Sequence, residues 1–203
     1  VHTHNLMGVS FLLPLVLRWM SVVHVHTVHD VQLVEPSGMI LKEYENHWRY
    51  TGFPTKLYTS IMRLLFGSPD AVISPSEFLL RFYTSRGFFP NSQKVVIRNP
   101  MTFPLRKVQK ESVHRPMRFV YAGQIEYHKG VEMLIDAFLG LRPEFAEQCE
   151  LHVVGGGTLY ESCKKRVMTS SHVQVHERMD RRALAAFMDS MDVAVVPSLC
   201  YEN

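Results

Sequence analysis

The sequence predicts an α/β protein made of two lobes that each contain a parallel β-sheet. Short apolar runs without alternation, such as residues 70–74 and 151–154, are typical of strands that are buried on both faces. Segments with the apolar spacing of helices separate these runs. A polar and basic stretch with two prolines, residues 102–116, interrupts the alternation and is interpreted as an interdomain linker. These observations predict two Rossmann-like lobes, residues 1–101 and residues 117–203.

The same patterns place the individual elements. The first lobe is predicted to contain strands that end near residue 5 and span 22–28, 70–74 and 94–97, and helices at 8–20, 54–66 and 76–87. The second is predicted to contain strands at 118–122, 151–154, 173–175 and 193–196, and helices at 129–141, 158–168 and 181–191. Because ligands of such sheets bind at the carboxyl ends of strands, we expect functional residues directly after the strands.

Composition excludes several classes of protein. The formal net charge of +3 is spread along the chain, which gives no reason to expect nucleic-acid binding. Three scattered cysteines without a CxxC motif indicate a reducing, cytoplasmic compartment. The apolar run 11–25 contains Pro14, Arg18 and His24 and is too short to span a bilayer.

A phosphate site is predicted in residues 117–130. An apolar strand stops at Gly123, and after a polar loop Lys129 and Gly130 stand where a helix pattern begins. The backbone N–H groups at a helix N-terminus attract anions, and a lysine there adds a full positive charge. The interpretation is a phosphate-binding turn, although many βα units have a lysine here by chance.

Three consecutive glycines follow the predicted strand at 151–154. Gly155, Gly156 and Gly157 would let a ligand approach the backbone closely, and the alternative is a tight βα turn. The pattern GxGxxG, followed by an acidic residue about 20 positions on, is absent, so nicotinamide dinucleotide binding is not indicated.

Histidines lie within and directly after the predicted strand 22–28. His29 could hydrogen-bond a sugar hydroxyl at a strand end, or it could be a turn residue. His24, His26 and His29 match the spacing of a zinc motif, HxHxDH, in which His24 and His26 would share a face. Val28 stands where that motif requires aspartate, so structural histidines are favoured over a metal site.

Charged residues elsewhere are interpreted more simply. Glu202 follows the predicted strand 193–196 and could hold a pair of sugar hydroxyls or be a solvated carboxylate. The remaining basic groups are interpreted as solvated surface because no aromatic residues alternate with them. They are Lys107, Lys110, Arg115, Arg118, Lys164, Lys165, Arg166, Arg181 and Arg182.

Together these segments resemble glycosyltransferase family 4, whose members are retaining enzymes with the GT-B fold. In the first lobe the similar segments are VHTHN, TVHD, DAVISPSEFLLRFYTSRGF and VIRNP. In the second they are FVYAGQIEYHKGVEMLIDAF, LHVVGGG and VAVVPSLCYEN. Their order on both sides of the linker is that of the family, and the resemblance covers nearly the whole chain.

The resemblance implies roles for the residues singled out above. Lys129 would pair with the donor diphosphate, with Gly123, Gln124 and Gly130 beside it. Gly155, Gly156 and Gly157 would border the nucleotide. His29 would contact the transferred sugar from across a cleft, and Glu202 would be the first Glu of the E-x7-E motif that binds this sugar.

The resemblance also implies partners. The second lobe would bind a nucleotide-sugar donor, UDP- or GDP-linked, as a substrate, with no cofactor and no metal. The first lobe would face a saccharide, lipid or small-molecule acceptor. A glycolipid acceptor would place the protein at the inner face of a membrane, and the aromatic stretch 44–50 is compatible with this.

Three departures from the family pattern affect these expectations. Gln124 replaces a common Arg, so diphosphate binding would depend more on Lys129, and Glu177 replaces a common Gly. The second Glu of E-x7-E would lie after residue 203, so the chain is expected to be a fragment that is inactive by itself. A GT-B-type nucleotide-sugar epimerase and a non-catalytic nucleotide-sugar-binding module remain alternatives.

Overall fold

The computed structural model describes residues 1–100 and 115–201. These residues divide into two compact units, and by their contacts residues 200 and 201 belong to the first. Most of the predicted linker 102–116, with Lys107 and Lys110, lies outside the described residues, and so does Glu202.

The first unit contains one four-stranded parallel sheet in the order β1-β2-β3-β4. The strands are β1 His2–Thr3, β2 Val25–Thr27, β3 Ala71–Ser74 and β4 Gln93–Val96. The helices are α1 Leu13–Trp19, α2 Trp48–Thr51, α3 Phe53–Phe66 and α4 Glu77–Thr84, and a 3₁₀ turn spans Lys42–Tyr44. The predicted parallel pairing is confirmed.

Local chemistry explains where the helices of this unit begin and end. Pro54 lies in the first turn of α3, and Gly67 ends this helix with a positive φ of 57°. The Ser76 side chain accepts a hydrogen bond from the Leu79 N–H and caps α4. These two predicted helix starts are confirmed.

Helix α1 and strand β2 are shorter than predicted. The Val22 N–H donates to the Leu17 carbonyl at 3.0 Å, and Ser21 has a positive φ of 52°. The chain therefore reverses direction at residues 20–22, and Val22 and Val23 belong to this turn rather than to the strand. Gly8, with a φ of 85°, lies in another turn before α1.

The second unit also contains a four-stranded parallel sheet, in the order β7-β6-β5-β8. Its strands are β5 Met117–Gln124, β6 Cys149–Gly156, β7 Val173–His176 and β8 Val193–Ala194. Its helices are α5 Val131–Leu139, α6 Pro143–Ala146, α7 Tyr160–Arg166 and α8 Arg181–Asp189, and a 3₁₀ turn spans Tyr127–Lys129.

Apolar residues cover both faces of this second sheet. On one face, Tyr121 and Val153 pack with residues of α5 and α7. On the other face, Val120 and Val154 pack with Met191 and with residues of α8. Adjacent strand residues thus bury opposite sides, as a parallel sheet between two helical layers requires.

The predicted element bounds were wrong at two places, the glycines after residue 154 and the helix start at Lys129. Strand β6 continues through Gly155 and Gly156, so these two glycines are strand residues rather than a loop. The extension occurs because β5 also continues, and Gly123 and Gln124 pair in register with them. The predicted helix start at Lys129 belongs to the 3₁₀ turn, and α5 begins two residues later.

Candidate functional site

The carboxyl ends of β5 and β6 border an open cleft of about 510 Å³ in the second unit. Gly123 and Gln124 contribute from β5, and Gly155 and Gly156 from β6. The other residues lining it are Val154, Arg178, Met179, Arg181 and Leu184. The cleft therefore lies where parallel sheets bind ligands.

Three of the glycines here are required by the packing of the protein itself. The Tyr121 hydroxyl lies 2.8 Å from the position that a Cβ at residue 123 would take. A Cβ at residue 155 would collide with the Gly123 carbonyl, and one at residue 157 would collide with the Ile125 carbonyl. A side chain at residue 155 would push β5 and β6 apart, one at residue 157 would displace the loop after β5, and one at residue 123 would displace the Tyr121 hydroxyl.

Gly156 is different from its neighbours. No heavy atom lies within 4 Å of the position that its Cβ would take, and the residue borders the cleft. Packing within the described residues therefore does not explain the glycine. Close approach of a ligand to the backbone would explain it.

The residue that follows the three glycines is hydrogen-bonded to the carboxylate of Glu126, a residue that was not predicted to belong to the site. Glu126 accepts hydrogen bonds from the Thr158 N–H at 2.8 Å and from the Thr158 hydroxyl at 2.6 Å. These two bonds lower the pKa of the Glu126 carboxyl below its ordinary value, so the group is ionised at neutral pH. Glu126 thereby ties the loop after β5 to the residue that follows the glycines.

Lys129 ends the 3₁₀ turn that leads into α5. Gly130, in the left-handed conformation with a φ of 70°, joins the turn to the helix, and no side chain caps the first turn of α5. A Cβ at residue 130 would collide with the Pro197 carbonyl, and the Leu199 N–H donates to the His128 carbonyl at 2.9 Å. The segment after β8, which leads toward residue 202, therefore lies against this turn.

Arg178 and Arg181 add two cations to the wall of the cleft. Both are exposed, and they lie directly after β7 and in the first turn of α8. Sequence reasoning missed Arg178 and interpreted Arg181 as solvated surface. Their position after a predicted strand was the signal that could have found them.

His29 lies in the first unit, just beyond the carboxyl end of β2. Its Nε2 atom is 2.8 Å from Nδ1 of His4, and the two rings stack with centroids 5.2 Å apart. Burial, followed by the charge of His4, lowers the pKa of His29 below its ordinary value. The ring is consequently neutral at pH 7, a form suited to hydrogen-bonding a hydroxyl group.

The buried pair His24 and His26 has a structural partner. Both rings contact the Thr3 hydroxyl, at 2.7 Å and 2.8 Å. The prediction that these two histidines share a face is confirmed. Within residues 1–100 and 115–201, no group of three or more His, Cys, Asp or Glu side chains is placed to hold a metal ion.

Comparison with known families identifies both halves of the chain. A profile described as Glycosyltransferase Family 4 matches residues 1–102, and one described as Glycosyl transferases group 1 matches residues 116–203. The chain belongs to glycosyltransferase family 4.

Solved structures share the fold at low sequence identity. WaaG, a glycosyltransferase involved in lipopolysaccharide biosynthesis, is 14% identical with a TM-score of 0.55, over 92% of this chain and 56% of that one. A mutant of S. aureus TarM, in complex with Fondaparinux, alpha-GlcNAc-glycerol and UDP, is 14% identical with a TM-score of 0.55, over 86% and 32%. The pneumococcal O-GlcNAc transferase GtfA, in complex with UDP and GlcNAc, is 10% identical with a TM-score of 0.54, over 93% and 40%.

These likenesses confirm the predicted GT-B fold with Rossmann-like lobes. The chain spans between about a third and somewhat over half of the length of these three proteins. No curated protein matches it. In the described part of the chain, no helix has the length and apolar character needed to cross a bilayer.

Proposed function

We propose that the protein transfers a sugar from a nucleotide-sugar donor to an acceptor and retains the anomeric configuration of the sugar. Membership of glycosyltransferase family 4 supports the transfer. The resemblance of both halves to retaining members supports the stereochemistry. The second unit carries the donor site in this proposal.

The observation that carries the proposal is the open backbone at Gly156 beside two cations. A nucleotide diphosphate needs a surface that it can approach closely and positive charge to balance its own. Gly156 provides the approach, and Arg178 and Arg181 provide charge at the same cleft. The volume of about 510 Å³ is within the range of small-molecule sites.

Lys129 and the N-terminus of α5 stabilise the diphosphate as it leaves. The uncapped first turn of α5 offers backbone N–H groups, and the lysine adds a full charge. Gln124 donates hydrogen bonds from its amide but no charge, so Lys129 bears more of the stabilisation than it would beside the common Arg. The transfer therefore requires no metal ion in this proposal.

The donor is a UDP- or GDP-sugar, and UDP is favoured. TarM and GtfA were solved in complex with UDP, and their fold is that of this chain. The acceptor is a saccharide, a glycolipid or a small molecule. His29 contacts the transferred sugar through its neutral ring, and Glu202 accepts hydrogen bonds from the hydroxyls of this sugar.

The reaction exchanges one bond at the anomeric carbon for another. The bond from this carbon to the diphosphate oxygen breaks with its electron pair, which leaves an oxocarbenium-like centre. An acceptor hydroxyl forms the new bond on the same face and loses its proton to the departing phosphate oxygen. The protein holds both partners in position and stabilises the departing charge.

Product analysis tests this proposal. The complete enzyme is incubated with a UDP- or GDP-sugar and candidate acceptors, and the anomeric configuration of the product is read by NMR together with release of the nucleoside diphosphate. A retained configuration is expected, and an inverted product would contradict the proposal. Conversion of the donor sugar without transfer would instead establish the epimerase alternative.

A further inference from the structure

The loop that follows β5 is hydrogen-bonded to the end of β6 and to the residues after it. The Ile125 N–H donates to the Gly156 carbonyl at 3.0 Å, and the Ile125 carbonyl accepts from the Leu159 N–H at 3.1 Å. The Glu126 carboxylate accepts two further hydrogen bonds, from the N–H and from the hydroxyl of Thr158. Two consecutive residues of this loop thus hold the backbone at the cleft and the residues that lead into α7.

Glu126 also fixes the turn that carries Lys129. The backbone carbonyl of Glu126 accepts a hydrogen bond from the Lys129 N–H at 3.0 Å and thereby closes the 3₁₀ turn. The segment after β8 lies against the same turn, because the Leu199 N–H donates to the His128 carbonyl. The side chain and the backbone of one residue therefore connect the glycines, the lysine and the segment that leads toward residue 202.

The type of side chain at residue 126 matches its partners. An ionised carboxylate accepts hydrogen bonds and donates none, whereas a backbone N–H such as that of Thr158 only donates. The Oε1 atom of Glu126 lies 2.8 Å from the position that a Cβ at residue 157 would take, so the carboxylate packs directly against Gly157. Glu126 itself is not among the residues that line the cleft. Any contribution of Glu126 to ligand binding would therefore act through the residues that it holds.

We infer that Glu126 is a positioning residue of the donor site, which holds Gly156 and Lys129 at a constant spacing. The inference rests on the proposed function, because it assigns a role within the same site. The phosphate groups of a diphosphate are joined covalently, so a site in two parts binds them well only if the parts are already in place. Without the Glu126 side chain, the residues after Gly156 would have to be ordered on binding, at a cost in affinity.

Substitutions of Glu126 separate its hydrogen bonds from its charge. Glu126→Ala loses both, and in calorimetric titration of the complete protein it is expected to bind UDP or GDP about tenfold more weakly. Glu126→Gln loses only the charge, because its amide oxygen can accept from the Thr158 N–H and its amide nitrogen can donate to the hydroxyl. It is expected to bind the nucleotide at least as tightly as the unsubstituted protein does. If Glu126 acted only as a negative charge near an anionic ligand, both substitutions would strengthen binding.

Thr158 offers a matched pair of variants on the other side of the contact. Thr158→Ser keeps the hydroxyl and is expected to bind the nucleotide normally, whereas Thr158→Val loses one of the two hydrogen bonds and is expected to bind it about threefold more weakly. Adding Thr158→Val to Glu126→Ala is expected to weaken binding no further, because the two groups act through the same contact. Glu161→Ala removes an exposed carboxylate from the first turn of α7 and is the control, with no loss of affinity expected.

Hydrogen exchange of the complete protein without ligand measures the contact itself. The amide hydrogen of Thr158 is expected to exchange about tenfold faster in Glu126→Ala than in the unsubstituted protein. Glu126→Gln is expected to restore slow exchange, which a loss of charge alone would not do. Far-ultraviolet circular dichroism of each variant verifies that the fold is retained.

The exchange and the binding measurements together distinguish the possible failures. Faster exchange in Glu126→Ala with unchanged nucleotide affinity would overturn the positioning role and leave the proposed donor site standing. Unchanged exchange, or equal weakening of binding in Glu126→Ala and Glu126→Gln, would also overturn it. If the unsubstituted protein binds neither UDP nor GDP, the proposed donor site itself is wrong, and the inference fails with it.

Discussion

The Gly123 carbonyl occupies the space in which a side chain of residue 155 would begin. The two glycines pair in register at the carboxyl ends of β5 and β6, so the strands approach each other there more closely than any side chain allows. One residue further along, Gly156 meets open space. Neighbouring glycines in the same strand therefore have different reasons to be glycine.

This difference gives a prediction for two alanine substitutions. Gly155→Ala is expected to destabilise the second unit by about 3 kcal/mol, because the added carbon meets backbone that cannot move aside. Gly156→Ala is expected to leave stability nearly unchanged but to weaken binding of the nucleotide about tenfold, because the methyl group enters the cleft. Chemical denaturation and calorimetric titration with UDP and GDP measure the two effects.

Equal destabilisation by both substitutions would show that Gly156 is a packing glycine like Gly155. Full nucleotide affinity in Gly156→Ala would exclude close contact of the ligand with this residue.

Lys129→Ala in the complete enzyme is expected to reduce turnover about 100-fold or more while the fold stays intact. The lysine would act on charge that develops as the diphosphate leaves, and such groups contribute strongly to rates. Steady-state kinetics measure the change, with the thermal unfolding temperature as the control. Unchanged turnover would show that Lys129 does not stabilise the departing diphosphate.

Arg178→Ala is expected to weaken donor binding about tenfold, as loss of a charge-assisted hydrogen bond does. The matched control is Arg182→Ala, since Arg182 is a neighbouring exposed arginine that does not line the cleft. Calorimetric titration with the nucleotide compares the two. Equal losses in both variants would indicate a general charge effect rather than a contact in the cleft.

The first unit is expected to lose stability below neutral pH through His26. Burial, followed by the charge of His24, lowers the pKa of His26 from 6.5 to about 3. The unfolded chain therefore binds a proton that the folded chain does not, so stability is complete above pH 6.5 and falls as the pH decreases toward 3. At pH 5 the loss is about 2 kcal/mol.

Tryptophan fluorescence during urea unfolding measures this loss, because Trp19 and Trp48 both lie in the first unit. His26→Asn retains a polar group near the Thr3 hydroxyl but cannot take up the proton. Its stability is expected to change less between pH 7 and pH 5. An identical slope in both proteins would assign the pH dependence to other groups.

Much of the fold could be predicted from the sequence because local signals agreed with the tertiary structure. Pro54 and Gly67 bound α3, Ser76 caps α4, and short apolar runs without alternation marked parallel strands. The polar stretch 102–116, with its two prolines, separated the two lobes, and the family resemblance added the GT-B fold. These features depend on residues close together in the chain.

The rest depends on contacts between distant residues. The glycines at 155 and 156 belong to β6 because β5 extends beside them, and no local pattern records that pairing. The two hydrogen bonds between Glu126 and Thr158 connect loops that are 32 residues apart in the chain. The position of Arg178 after the predicted strand 173–175 was a local signal, but its place at the cleft depends on the turn after β7. Composition and periodicity do not carry this information.

The most direct test of the central claim is calorimetric titration of the complete protein with UDP, GDP and ADP, alongside Gly156→Ala and Lys129→Ala. The donor-site account predicts that UDP or GDP binds with one-to-one stoichiometry and that both substitutions weaken this binding. If no nucleoside diphosphate binds, or if both variants bind it as tightly as the unsubstituted protein does, then the cleft at the ends of β5 and β6 is not the donor site.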